Sequence, residues 1–220
     1  MKHFKEFGVA QSGNIVNEAH RANVPVDRVA RGYTYTTRDD GFPPTNLAMP
    51  ENPFVVEVLG AQNILDVGCG VGRNLPWIME HTHARYHGLD PNPVMLENFW
   101  KVTDPKYKDP RRVELYDDID LLPPGLQMDV VVVTFVFQHL GFRAPPDVMN
   151  VTDITRRIRD HTRRGTVWIL LEHELEELWI RRWTTENNIK PDVFIPYYKG
   201  LPELLHRGDQ SHLIIWKEPT

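Results

Sequence analysis

Three glycines stand at alternate positions in Asp66-Val67-Gly68-Cys69-Gly70-Val71-Gly72-Arg73-Asn74, directly behind the short apolar run Asn63 to Val67. Glycines so spaced let the main chain turn tightly and let a ligand lie against bare backbone. A helix starting there adds unsatisfied N–H groups. The chemistry is that of a nucleotide-type cofactor site. A dinucleotide fingerprint, Gly-x-Gly-x-x-Gly, fails because the third position is Arg73 in one frame and Leu75 in the other. A phosphate loop ending Gly-Lys-Ser/Thr is absent as well. Asp66, two residues ahead of the first glycine, opposes a pyrophosphate and suits a cationic amino group.

The elements around the turn alternate. Asn63 to Val67, Arg85 to Leu89, Arg112 to Tyr116, Asp129 to Thr134 and Thr166 to Leu171 read as strands. Asn74 to His81, Pro93 to Val102, Pro146 to Thr162 and Glu174 to Trp183 read as helices between them. Strands alternating with helices imply a parallel sheet covered on both faces. Glu203 to His206 and Ser211 to Lys217 read as a terminal hairpin. Residues 1–50 read as an N-terminal arm or lid with short helices at Asn14 to Arg21 and Val26 to Arg31, and residues 51–220 as the domain proper.

Composition narrows the classes. At ~150 residues per domain, 220 residues allow one domain with an appendage. A single cysteine permits no internal disulfide and no Cys-based zinc site. A net charge of −5 lacks the basic excess of a nucleic-acid-binding surface, so a nucleic-acid partner is not expected. The apolar run Val130 to Phe137 is far short of the ~20 residues of a membrane span. With no secretory leader in the opening residues, the expectation is a soluble, cytoplasmic protein without a membrane partner.

From Gly60 to Glu172 the chain resembles the class I S-adenosylmethionine-dependent methyltransferases. Leu65 to Gly72 matches that family's first motif. The resemblance implies an α/β fold: a doubly wound, mostly parallel seven-stranded sheet with helices on both faces and an antiparallel C-terminal strand. It implies S-adenosyl-L-methionine as cofactor, bound through Asp66, Gly68, Gly70 and Gly72. Asp90, 24 positions after Asp66, ends the second strand and would take both ribose hydroxyls, since a carboxylate offers two acceptors to a vicinal diol. Asp117 and the N–H of Asp118 would read the adenine edge; a one-residue slip and a solvated acidic turn stay open. Thr134 and Phe135 would flank the methionine part. Cys69 reads as a small buried filler. The cytosine-C5 branch lacks its cysteine nucleophile here, and Thr134-Phe135-Val136-Phe137 replaces the Asp/Asn-Pro-Pro-aromatic motif of the base amino-methyltransferases.

Methyl transfer needs the acceptor atom held at ~3–3.5 Å in line with the departing sulfur, and a hydroxyl acceptor must also lose a proton. His139, just past the fourth strand, is the candidate base; packing or helix capping is the alternative. His173 is the second candidate and a substrate contact. With Glu172, Glu174 and His139 it makes a weak divalent-metal set, against the reading that these acids open a helix; no metal is expected. His81, His83 and His87 read as surface residues. Phe135, Phe137, Trp179 and Trp183 read as cofactor neighbours or core. Arg156, Arg157, Arg159, Arg163 and Arg164 read as the solvated end of a helix. Tyr33 and Tyr35 in the arm are candidate contacts to a hydroxylated substrate. The expected function is methylation of a small polar acceptor, at a hydroxyl of sugar or natural-product type. The alternatives are an RNA or protein methyltransferase and a cofactor-binding protein without catalysis.

Overall fold

A computed structural model describes residues 45–219 except 135, 138–147, 174–176 and 197–210. The described elements are α1 (Val55–Leu59), β1 (Asn63–Val67), α2 (Leu75–His81), β2 (Arg85–Leu89), α3 (Pro93–Val102), β3 (Val113–Tyr116), β4 (Met128–Thr134), α4 (Val148–Arg159), β5 (Thr162–His173), α5 (Glu177–Glu186), β6 (Val193–Pro196) and β7 (Ser211–Lys217). Single 3-10 turns at Pro105–Tyr107 and Ile119–Leu121 complete the connections. Pro76 sits in the first turn of α2, where a missing N–H costs nothing.

The strands form one sheet in the order β3-β2-β1-β4-β5-β7-β6. The pairings from β3 through β5 are parallel, and β7 runs antiparallel to both β5 and β6. The expected seven-stranded, mostly parallel architecture is therefore present. Val130 to Val133 are fully buried, as a central parallel strand covered on both faces requires. Period-two alternation sorts their side chains. Val130 and Val132 meet α2 and α3 through Leu75, Ile78 and Phe99. Val131 and Val133 share the opposite core with Ile154 and Ile158 of α4 and Trp183 of α5. Leu47 and Met49 are already core residues on the α2–α3 side.

Several expectations change. The partner of β7 is β6, which the alternation reading missed; Glu203 to His206 lie outside the described residues. β5 starts at Thr162, and the cluster of arginines is split between α4 and β5. Those arginines are not simply solvated: Arg157 meets Asp120, Arg159 meets Glu218, and Arg163 meets Asp129. His81 and His83 are exposed, but His87 is 1% exposed and faces Asn63 Oδ1 at 3.3 Å; burial lowers its pKa. The helices expected at 14–21 and 26–31 fall outside the described residues.

Aromatic packing dominates the α4–α5 side. Trp183 is fully buried, edge-on to Phe137 at 5.4 Å and to Trp216 at 5.9 Å. Phe137 and Trp183 are thus core residues rather than cofactor neighbours. Trp183→Ala is expected to cost ~3–5 kcal/mol of unfolding free energy in urea titration, the usual range for deleting a buried tryptophan.

Candidate cofactor site

The sheet order reverses between β1 and β4, and the crevice at their C-terminal ends is where an open α/β sheet receives a ligand. The glycine turn lies on that edge. Gly68, Gly70 and Gly72 have φ of 66°, 54° and 85°. A Cβ on Gly68 would stand 2.3 Å from Val136 Cγ2, so the turn is packed against the chain leaving β4. A Cβ on Gly70 would meet nothing within 4 Å. One glycine is bare because the protein fills its side; the other is bare toward open space.

Two buried carboxylates hold the turn. Asp90, at the tip of β2, accepts from Gly70 N at 2.9 Å and from Asn92 N at 2.9 Å. Asp66, 1% exposed, accepts from Asn74 Nδ2 at 3.0 Å and from Tyr86 Oη at 2.7 Å. The backbone closes the turn further, with Gly68 N and Cys69 N both donating to Leu89 O. Cys69 is buried, and burial pushes its thiol pKa up, which fits the expected small filler.

Burial raises both acids, Asp66 and Asp90, to about 6 each. An acid raised in the folded state holds its proton more tightly there than when unfolded. Its contribution to stability therefore falls as pH rises from about 4 to about 6 and is flat above. Ligand binding has the opposite trend, because the bracing hydrogen bonds and any ligand donors need the charged form. Binding of S-adenosylhomocysteine is expected to strengthen between pH 5 and 7 with proton release near pH 5.5, read by calorimetry in buffers of different ionisation enthalpy.

The remaining expected positions are spread along the same edge. Asp117 follows β3 and is exposed. Asp118 is 2% exposed and caps the Ile119–Leu121 turn, accepting from Asp120 N at 3.1 Å. Thr134 ends β4, its Oγ1 accepting from Asn74 Nδ2 at 3.2 Å. Glu172, fully buried near the end of β5, accepts on Oε1 from Val136 N at 2.9 Å and Phe137 N at 3.1 Å, so it anchors the chain behind β4. Among the described residues no group of three His, Cys, Asp or Glu is arranged to hold a metal ion. His173 closes β5. Tyr33, Tyr35, Phe135, His139 and Glu174 lie outside the described residues. Asn74, Tyr86 and His212 were not singled out from sequence. His212 is 4% exposed, stacks on Phe194 at 5.5 Å and pairs with Glu172 in the β5–β7 ladder.

The residues present fit a sulfonium nucleoside better than a pyrophosphate. The loop offers bare backbone at Gly70, and the acids beside it, Asp66 and Asp90, would repel phosphate. Together with the strand order and the antiparallel seventh strand, they define a class I methyltransferase fold. Residues 65–167 match the family model described as a methyltransferase domain. That span is accordingly a methyltransferase domain similar to those of the class I S-adenosylmethionine-dependent methyltransferases. No curated protein sequence matches it. Solved structures of similar fold include an S-adenosylmethionine-dependent methyltransferase from Mesorhizobium loti, with TM-score 0.55, 14% identity and coverage of 76% of this chain and 94% of that one. The N-methyltransferase NodS from Bradyrhizobium japonicum WM9 gives TM-score 0.54 and 14% identity over 87% of this chain and 98% of that one. The StiE O-MT gives TM-score 0.54 and 14% identity over 72% of this chain and 68% of that one. At such identity the likeness is one of fold.

Proposed function

We propose that the protein transfers a methyl group from S-adenosylmethionine to a small polar acceptor, at a hydroxyl oxygen. The observation that carries the cofactor half is the glycine turn: Gly70 opens onto free space while Asp90 braces its N–H from the tip of β2. When bound, the cofactor supplies an electrophilic methyl on a sulfonium. In this reading Gly68 to Gly72 lie along it, Asp90 holds the ribose, Asp117 and the Asp118 N–H hold the adenine, and Thr134 and Phe135 flank the methionine part. Asp66 is 1% exposed, against 8% for Asp90, and is held by Asn74 and Tyr86, so its part is to build the floor of the turn on which the ligand lies.

The acceptor half rests on charge. Of the cluster Arg156, Arg157, Arg159, Arg163 and Arg164, the first four are each engaged by an aspartate or glutamate, which leaves Arg164 exposed beside them and little free positive charge for a polyanion. The strand-end edge carries Asp90 and the exposed Asp117, with Asp66 beneath the turn. An edge so acidic suits a compact neutral or cationic acceptor better than RNA. No described helix is long and apolar enough to cross a membrane. His139 would take the hydroxyl proton, Tyr33, Tyr35 and His173 would contact the acceptor, and the cytoplasm is the expected compartment.

The test is incubation with methyl-labelled S-adenosylmethionine and separated pools of small molecules, RNA and protein. Label in an ether-linked small molecule is the expected result; label in RNA, protein or an amine, or none at all, overturns the acceptor reading. With an acceptor in hand, His139→Ala is expected to lower kcat ~10²–10⁴-fold while S-adenosylhomocysteine affinity stays within about twofold.

A further inference from the structure

Asn74 stands at the N-cap of α2, where asparagine normally turns its side chain back onto its own helix. Here it makes no such bond. Its side chain is 2% exposed in the residue total and is used entirely at long range. Nδ2 donates to Asp66 Oδ1 at 3.0 Å, at the end of β1, and to Thr134 Oγ1 at 3.2 Å, at the tip of β4. Oδ1 accepts from Thr45 N at 3.3 Å. The orientation of the amide is fixed by these partners, since a main-chain N–H can meet only its oxygen and a carboxylate only its nitrogen. Capacity that would stabilise one helix end is spent on joining three separate segments.

We propose that Asn74 is a positioning residue that couples the chain entering the domain at Thr45 to the floor of the glycine turn and to the tip of β4. The coupling rests on the cofactor reading above. Its physical content is simple. The amide is shared, so a shift of Asp66 on ligand binding is felt at Thr134 and at Thr45 through one rigid planar group. Segments 29 and 60 residues away in sequence then respond to the same event. A ligand that orders the turn thereby also orders the chain at Thr45, and by reciprocity a chain held at Thr45 favours the ligand.

Asn74→Ser separates this role from capping, because serine caps a helix about as well as asparagine but is too short to span the three partners. Amide hydrogen exchange is measured with and without S-adenosylhomocysteine. In the unsubstituted protein the ligand is expected to slow exchange at Gly68 to Gly72 and, by about tenfold, at Thr45. In Asn74→Ser the slowing at the turn persists and that at Thr45 falls below about twofold. Full retention of ligand-dependent slowing at Thr45 overturns the proposal. Absence of slowing at Gly68 to Gly72 in the unsubstituted protein overturns the cofactor reading instead. The coupling is then judged without ligand, where Thr45 must exchange faster in Asn74→Ser. Should Asn74→Ser not fold, Thr45→Pro removes the N–H that meets Asn74 Oδ1 and leaves the other two partners in place. S-adenosylhomocysteine must then bind at least about threefold more weakly, by the reciprocity above, and unchanged affinity counts against the junction.

Discussion

Gly70→Ala is expected to leave the protein folded and to weaken S-adenosylhomocysteine binding by about two orders of magnitude, or roughly 3 kcal/mol. Neighbouring Gly68→Ala is expected to do the reverse in emphasis, costing stability first. Both positions have positive φ, which costs an alanine ~1–2 kcal/mol. They differ in what the new methyl meets. At Gly68 it strikes Val136 at 2.3 Å, and overpacking of that kind adds ~1–3 kcal/mol. At Gly70 it enters space that no protein atom occupies within 4 Å. If that space is the bed of the cofactor, the methyl takes the ligand's place and little else changes. Urea titration and calorimetry on the two variants separate the effects. Gly70→Ala binding as tightly as the unsubstituted protein would remove the main support for the cofactor reading.

Asp90→Ala is expected to weaken S-adenosylhomocysteine binding at least as severely. The carboxylate makes two bonds to main-chain N–H groups, at Gly70 and Asn92. Charged hydrogen bonds contribute ~1.5–3 kcal/mol each, and an orphaned buried N–H costs ~1–3 kcal/mol. Removal therefore loosens the turn and also deletes the proposed ribose acceptor. Asp90→Asn separates these effects. Its amide keeps one acceptor and the size of the side chain but loses the charge that a vicinal diol prefers. The unsubstituted protein is expected to discriminate against a 2′-deoxy analogue of S-adenosylhomocysteine, and Asp90→Asn to discriminate less. Equal discrimination by both would assign Asp90 to the loop alone.

The cofactor half of the domain was legible because its signals are local. Asn63 to Val67 and Val130 to Val133 are apolar enough to be central strands, and three alternating glycines between a strand and a helix have few other uses. What was not legible depends on distant partners. Asn74 reads as an ordinary helix cap until Asp66, Thr134 and Thr45 are seen around it. Asp66 reads as a ligand contact, and nothing in the local sequence tells that Tyr86, 20 residues on, donates to its second oxygen. His87 lies on a strand whose alternation gives parity but not cover, so its burial was missed. β6 was missed because four residues ending in proline are a weak strand signal, tolerated at a sheet edge but not distinctive there. The arginine run gave its charge but not its counterions, which come from β4, from the turn after β3 and from the residue following β7.

The position of β7 has a consequence for synthesis. It follows β6 in the chain yet lies between β5 and β6 in the sheet. A nascent chain emerging from the ribosome can assemble β1 to β5, but Val193–Pro196 has no strand to pair with until Ser211–Lys217 appears. During that interval the apolar rim of β5, including Trp168, Ile169 and Leu170, is an open template for another molecule. Emergence of β7 thus ends an aggregation-prone window, and a translational pause placed before Ser211 would lengthen it.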